Sequence, residues 1–178
     1  KSLGFLAPAS FLKDLYLSGN FSYITGDVNY TAIRNDENKR KRPLMGLAPY
    51  TVNAGLTYQG KVLGAALNYG RKGRTLVMSG DYEKYDQYEN PRNVLDLQIS
   101  ARFLDEKLEV KFNASDLLNE DVIVYRNCSY DIIRDNNTEP DKAYTDRTAL
   151  GMNYNPGDWV MSRIKKGINL SLSVGYKF

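Results

Sequence analysis

The sequence predicts an all-β fold, specifically part of the wall of an antiparallel up-and-down transmembrane β-barrel. Three observations lead there. Apolar and polar residues alternate over six separate segments, the connections between those segments are short and long in turn, and aromatic side chains gather at the ends of the apolar stripes.

The first alternating segment is "LYLSGNFSYI", with Leu15, Leu17, Gly19, Phe21 and Tyr23 on one face and Tyr16, Ser18, Asn20 and Ser22 on the other. In "PYTVNAGLTYQ", Tyr50, Val52, Ala54, Leu56 and Tyr58 oppose Thr51, Asn53, Gly55, Thr57 and Gln59. After a tight turn at Gly60 and Lys61, "VLGAALNYG" places Leu63, Ala65, Leu67 and Tyr69 on its apolar side. "NVLDLQISARF" contributes Leu95, Leu97, Ile99, Ala101 and Phe103, and "LEVKFNAS" contributes Leu108, Val110, Phe112 and Ala114. The last segment, "GINLSLSVGYKF", carries Ile168, Leu170, Leu172, Val174, Tyr176 and Phe178. A period of two places each set on one face of a strand, and no stretch shows the 3.6-residue period of a helix.

The connections cover residues 26–48 (long), 60–61 (short), 71–92 (long), 104–107 (short) and 120–163 (very long). Membrane barrels keep short turns on the periplasmic side and long loops outside, whereas a soluble meander has no reason to alternate. With that orientation Tyr58, Phe103, Tyr176 and Phe178 fall at the periplasmic rim, and Tyr50 and Tyr69 at the other. Tyr50 to Tyr58 spans ~20 Å of height at ~3.3 Å per residue and a tilt near 40°, close to the apolar band of such barrels. Six strands and the short "SLGFL" cannot close a barrel, for which about eight are needed, so the wall is expected to be completed by more chain.

Composition excludes several functions. There is no histidine, which removes catalytic triads and imidazole metal sites, and the single Cys128 cannot close an intrachain disulfide. With 24 basic and 21 acidic residues the balance is too even to argue for nucleic acid. No apolar run approaches the ~18 residues of a membrane helix, and the first residues lack the pattern of a signal peptide, as expected of a mature chain or a piece of one. No residue is assigned covalent chemistry, and no cofactor is expected.

Five phrases in order, "RPLMGLAPYTVNAGLTYQ" (Arg42 to Gln59), "LNYGRKGR" (Leu67 to Arg74), "YENPRNVLDLQIS" (Tyr88 to Ser100), "NASDLLN" (Asn113 to Asn119) and "SVGYKF" (Ser173 to Phe178), resemble the last third of the barrel of TonB-dependent outer-membrane receptors, especially those of Bacteroidota-type bacteria. The resemblance implies that residues 1–178 supply about the last six strands, 17 to 22, of a 22-stranded barrel whose plug domain and TonB-contacting segment are not in this sequence. It implies energised import of a scarce nutrient such as an iron chelate, vitamin, oligosaccharide or peptide. The implied partners are the rest of the barrel and the plug, the TonB complex acting through the plug, outer-membrane lipids and the barrel-insertion machinery. In one branch of the family a surface lipoprotein lids the barrel. The final strand, with Gly175, Tyr176 and Phe178, looks like the signal read by the insertion machinery. A passive pore in the outer membrane shares all the barrel features and is the main rival; a soluble β-rich module is a more distant one.

Within this frame the long connections supply ligand candidates. Tyr82, Tyr85 and Tyr88 recur at three-residue spacing among acidic residues, offering flat amphipathic surface to a sugar or peptide or else packing the loop on itself. Arg71, Arg74 and Trp159 join them, Trp159 being equally suited to anchoring the loop base at the interface. The basic run "NKRKR" (Asn38 to Arg42) reads as a solvated loop, with lipopolysaccharide phosphate contact as the sharper option. Asp135, Asn137, Glu139 and Asp141 alternate as a loose oxygen-rich set for Ca²⁺, although Pro140 breaks the EF-hand pattern. Of six Asn-x-Ser/Thr sequons, three lie mid-strand on the polar face as polar alternation alone generates, so glycosylation is not indicated. On the polar face Asp96, Arg102, Glu109 and Lys111 are expected to form a charged ladder that docks a plug.

Overall fold

The computed structural model describes residues 10–30, 40–80, 85–126 and 158–178. Within them a 3-10 turn, Ser10–Asp14, leads into twelve strands: β1 (Leu15–Tyr23), β2 (Asp27–Tyr30), β3 (Arg40–Pro43), β4 (Tyr50–Gln59), β5 (Leu63–Lys72), β6 (Thr75–Met78), β7 (Gln87–Glu89), β8 (Arg92–Phe103), β9 (Leu108–Ser115), β10 (Val122–Arg126), β11 (Trp159–Ile164) and β12 (Asn169–Tyr176). All pairings are antiparallel. No helix among the described residues is long and apolar enough to cross a membrane.

The six alternating segments form one sheet in the order β1-β4-β5-β8-β9-β12, so each strand lies beside its predecessor among the six. Register follows the apolar pattern through all five seams. Leu17, Leu56, Leu67, Leu97, Ala114 and Leu170 are paired in turn, one per strand, making a single row across the sheet. One residue along, Tyr16, Thr57, Ala66, Gln98, Asn113 and Ser171 make the corresponding row on the other face. A slip of one residue at any seam would set apolar against polar, which is why the pattern specifies the pairing so strongly.

Among the described residues no second layer of strands or helices packs on the apolar face. Phe21 is 67% exposed, Leu172 68% and Phe178 wholly so, and Leu56, Leu67 and Ile99 in the middle of the sheet also stay exposed. The buried apolar cluster lies elsewhere, in Leu76, Tyr88 and Tyr125. A soluble sheet of this length hides its apolar face against another layer.

The long connections are not plain loops, which corrects the expectation for 26–48, 71–92 and 120–163. They carry a second tier of strands. β6, β7, β10 and β11 form a four-stranded sheet in the order β11-β10-β7-β6, matching the order of β12, β9, β8 and β5, which they continue; β2 and β3 form a hairpin between β1 and β4. Three of the breaks between tiers have a local cause. Pro91 lacks the N–H a ladder needs, Asp116 and Asn119 turn at φ 58° and 48°, and Gly167 turns at φ 81°. Hydrogen bonds tie the connecting segments to the second tier, among them Gly46 N–H to Leu76 O at 2.8 Å and Asn90 N–H to Ile123 O at 2.9 Å.

The opposite end of the large sheet keeps its turns short. Gly60 to Val62 join β4 to β5, with Gly60 N–H donating to Leu63 O at 2.9 Å. A Cβ at Gly60 would stand 2.9 Å from that same carbonyl oxygen, so only glycine fits. Leu104 to Lys107 join β8 to β9 through three successive left-handed residues, Leu104, Asp105 and Glu106.

Candidate functional site

Where the two tiers meet, a polar cluster sits on the same face as the apolar stripe. Arg71 is the register partner of Val52 and Asn93, two residues beyond Tyr69 on β5. Its Nε donates to Tyr50 Oη at 3.2 Å and its Nη1 to Asn93 Oδ1 at 2.8 Å, an oxygen that also accepts from Tyr69 Oη at 2.6 Å. Glu120, from the turn after β9, closes the set by accepting from Asn93 N–H and Nδ2, both at 2.8 Å. Arg71 therefore joins three strands and a turn at the head of the apolar stripe, with both predicted upper aromatics, Tyr50 and Tyr69, among its neighbours.

The polar face carries two separate charged groups where the sequence suggested one ladder. Arg102, Glu109 and Lys111 do form a ladder: Glu109 stands 3.6 Å from Arg102 Nε across the seam and 2.8 Å from Lys111 Nζ. Asp96 is not part of it, because it lies six residues from Arg102 toward the other end of β8, and the strand pitch carries it beyond reach of the ladder. Instead Asp96 Oδ1 accepts from Asp116 N–H at 2.9 Å, while Asp116 Oδ2 pairs with Arg92 Nη1 at 2.5 Å. These bonds hold the left-handed turn at Asp116 over the polar face. Both members of the Arg92–Asp116 pair are largely buried, whereas the ladder residues are open to solvent, where ion pairs contribute little to folding.

Arg42 departs furthest from its predicted setting. The basic run was expected to be solvated, yet Arg42 is only 6% exposed and pairs with a fully buried Asp86 at 3.1 Å. Its Nη1 also donates to Ser79 Oγ at 2.6 Å and Gly80 O at 2.7 Å, and Gly80 N–H donates back to Asp86 Oδ1 at 2.9 Å. The pair straps β3 to the segment between β6 and β7, which accounts for one arginine of the run being buried.

The second tier gathers the remaining aromatic candidates. Tyr88 is buried against Tyr125, ring centroids 6.2 Å apart, with the Arg74 guanidinium 4.3 Å above it. This is the packing alternative for Tyr88. Tyr85 and Trp159 remain exposed, and Arg126 lies 5.8 Å from the Tyr85 ring. Tyr82 and the oxygen-rich set Asp135, Asn137, Glu139 and Asp141 lie outside the described residues. Among the described residues no group of acidic or thiol side chains has the arrangement of a metal site. At the end of β12, Tyr176 packs edge to face with Phe178 just beyond the strand at 5.2 Å, and Gly175 faces Glu109 across the seam.

Sequence reasoning missed Asp86, Asp116, Tyr125 and Arg126. Only Tyr125 had a usable signal, the β-branched and aromatic run "VIVY" at Val122 to Tyr125. Compared with protein-family models, curated proteins and solved structures, the chain has no match in any of the three.

Proposed function

We propose that this chain is a section of the wall of an outer-membrane β-barrel of the TonB-dependent receptor type, about the last six strands of a 22-stranded barrel, and that the complete protein imports a scarce nutrient with energy supplied through TonB. The observation that carries the reading is the uncovered apolar stripe running in register across six antiparallel strands. In water such a face is a large exposed hydrophobic patch; in a bilayer it meets hydrocarbon while every interior strand keeps its backbone paired. The free edges of β1 and β12 then pair with the rest of the wall, since an open edge in lipid leaves backbone groups unsatisfied.

On this reading the second tier stands outside the cell and presents ligand-contacting side chains. The polar face lines the lumen, where the Arg102, Glu109 and Lys111 ladder docks the plug, and a surface lipoprotein is a candidate lid. Nothing in the proposed role requires a nucleic acid or a cofactor.

Conductance across a planar bilayer separates the reading from the passive pore. The full-length protein, extracted in detergent from the outer-membrane fraction, is expected to be silent because a plug fills the lumen, and to cross-link to TonB in cells. A steady open pore with no TonB cross-link overturns energised import in favour of passive diffusion.

A further inference from the structure

One row of side chains in the second tier combines an arginine, an amide and an exposed indole. Met78, Gln87, Arg126 and Trp159 are register partners in turn on β6, β7, β10 and β11. Directly opposed residues in antiparallel strands share a face, so these four side chains stand side by side over ~14 Å, three interstrand spacings. The Gln87 Nε2 donates to Met78 Sδ at 3.4 Å, which ties one half of the row together. At the other half Trp159 is 66% exposed beside Arg126, and the Tyr85 ring, 42% exposed, lies against the same guanidinium.

Arg126 differs from Arg71, which bonds Tyr50 and Asn93, in having no oxygen partner among the described residues on its own face. Arg42, Arg92, Arg102 and Arg163 each sit on a carboxylate. Among the described residues Arg126 has none, and its Nε is buried without a hydrogen-bond partner. Glu89, two residues along β7 on the same face, is already engaged by Lys72 at 2.7 Å. An arginine donates in a planar fork that matches a carboxylate, and leaving a buried donor unmade is costly. Here the fork is flanked by two exposed aromatic rings and an amide.

We propose that this row is a binding site for a small ring-bearing carboxylate, with Arg126 holding the carboxylate, Trp159 stacking on the ring and Gln87 bonding a polar substituent. The ring is either a saccharide of the uronic-acid kind or a planar aromatic acid; the two share the chemistry the row recognises. The inference names a ligand class for the transport reading and depends on that reading only for the ligand's subsequent import.

The test uses the full-length protein in detergent and isothermal titration with trigalacturonate and with 2-naphthoate, each beside its uncharged counterpart, methyl-esterified trigalacturonate and 2-naphthamide. One acid is expected to bind and its neutral counterpart to bind at least about tenfold more weakly. Arg126→Gln is expected to weaken the acid by about tenfold or more, and Trp159→Ala by about fivefold. Arg126→Lys, which keeps the charge, should recover part of the loss, separating charge recognition from general damage to the fold. Binding of neither acid, equal binding of acid and neutral partner, or unchanged affinity in Arg126→Gln overturns the site. A protein that proves to be a membrane barrel yet binds neither acid removes this inference alone, whereas one that binds an acid but is extracted without detergent removes the transport reading alone.

Discussion

Replacing Leu67 with arginine puts a guanidinium at the centre of the stripe on β5. Leu67 stands four residues from Leu63 and four from Arg71, so each end of the stripe is ~13 Å away along the strand and ~10 Å in height at a tilt near 40°. A charged side chain near the midplane of a membrane barrel costs about 2–4 kcal/mol, and bending of the arginine toward the nearer interface moves the value to the lower end. About 2 kcal/mol is already roughly a thirtyfold change in the folded-to-unfolded ratio. Asn68→Arg, one residue along and on the polar face, is the control and should stay within about 0.5 kcal/mol. Leu67 is 39% exposed in the chain by itself, so if water met this face the leucine variant would be as mild as the control. Equilibrium urea unfolding of the full-length protein in phospholipid vesicles, followed by heat-shifted gel mobility, measures both. Two variants within about 0.5 kcal/mol of each other refute the assignment of hydrocarbon to the apolar face.

Three further outcomes are expected. Asp86→Ala removes the carboxylate that Arg42 Nη1 bonds, a loss of about 3–5 kcal/mol that falls on the second tier; hydrogen exchange should speed in β6 and β7 and stay slow in β4 and β5, while Arg42→Met with Asp86→Leu restores most of the protection. On the proposed reading Arg102→Glu, which sets like charges opposite each other at Glu109, should loosen a docked plug, read as a silent protein turned leaky in planar bilayers; unchanged conductance and import count against a docking role for the ladder. Gly73→Val places a Cβ 2.8 Å from the Tyr50 ring and 2.9 Å from Pro49, so the packing at the junction must shift; a fall in thermal stability of about 1–3 kcal/mol equivalent in detergent is expected, and a wild-type melting curve contradicts the packing described there.

The large sheet was legible because its information is local and redundant. Each of its six strands carries a period of two, and the same faces recur in all six, so pairing them in chain order needs no long-range knowledge. The second tier was not legible for the opposite reason. "TLVM" and "QYE" are too short to show a period, and the run at Val122 to Tyr125 is apolar at consecutive positions, so it points to no single face. The sites divide the same way. The Arg102, Glu109 and Lys111 ladder follows from strand register and was foreseen, whereas the bond from Asp116 N–H to Asp96 was not, because the left-handed turn at Asp116 that makes it leaves no mark in the pattern. Arg42 in a run of charges looks solvated until its partner 44 residues away is known.

The proposal that lipid meets the apolar face can be read directly along β12. Single nitroxide labels at positions 169 to 174 of the full-length protein in phospholipid vesicles report collision with oxygen, which concentrates in hydrocarbon, and with a water-soluble nickel chelate. The account predicts strict alternation, with labels at Leu170, Leu172 and Val174 rich in oxygen contact and poor in nickel, and labels at Asn169, Ser171 and Ser173 the reverse. Equal nickel contact at all six positions, or an alternation of opposite phase, contradicts it.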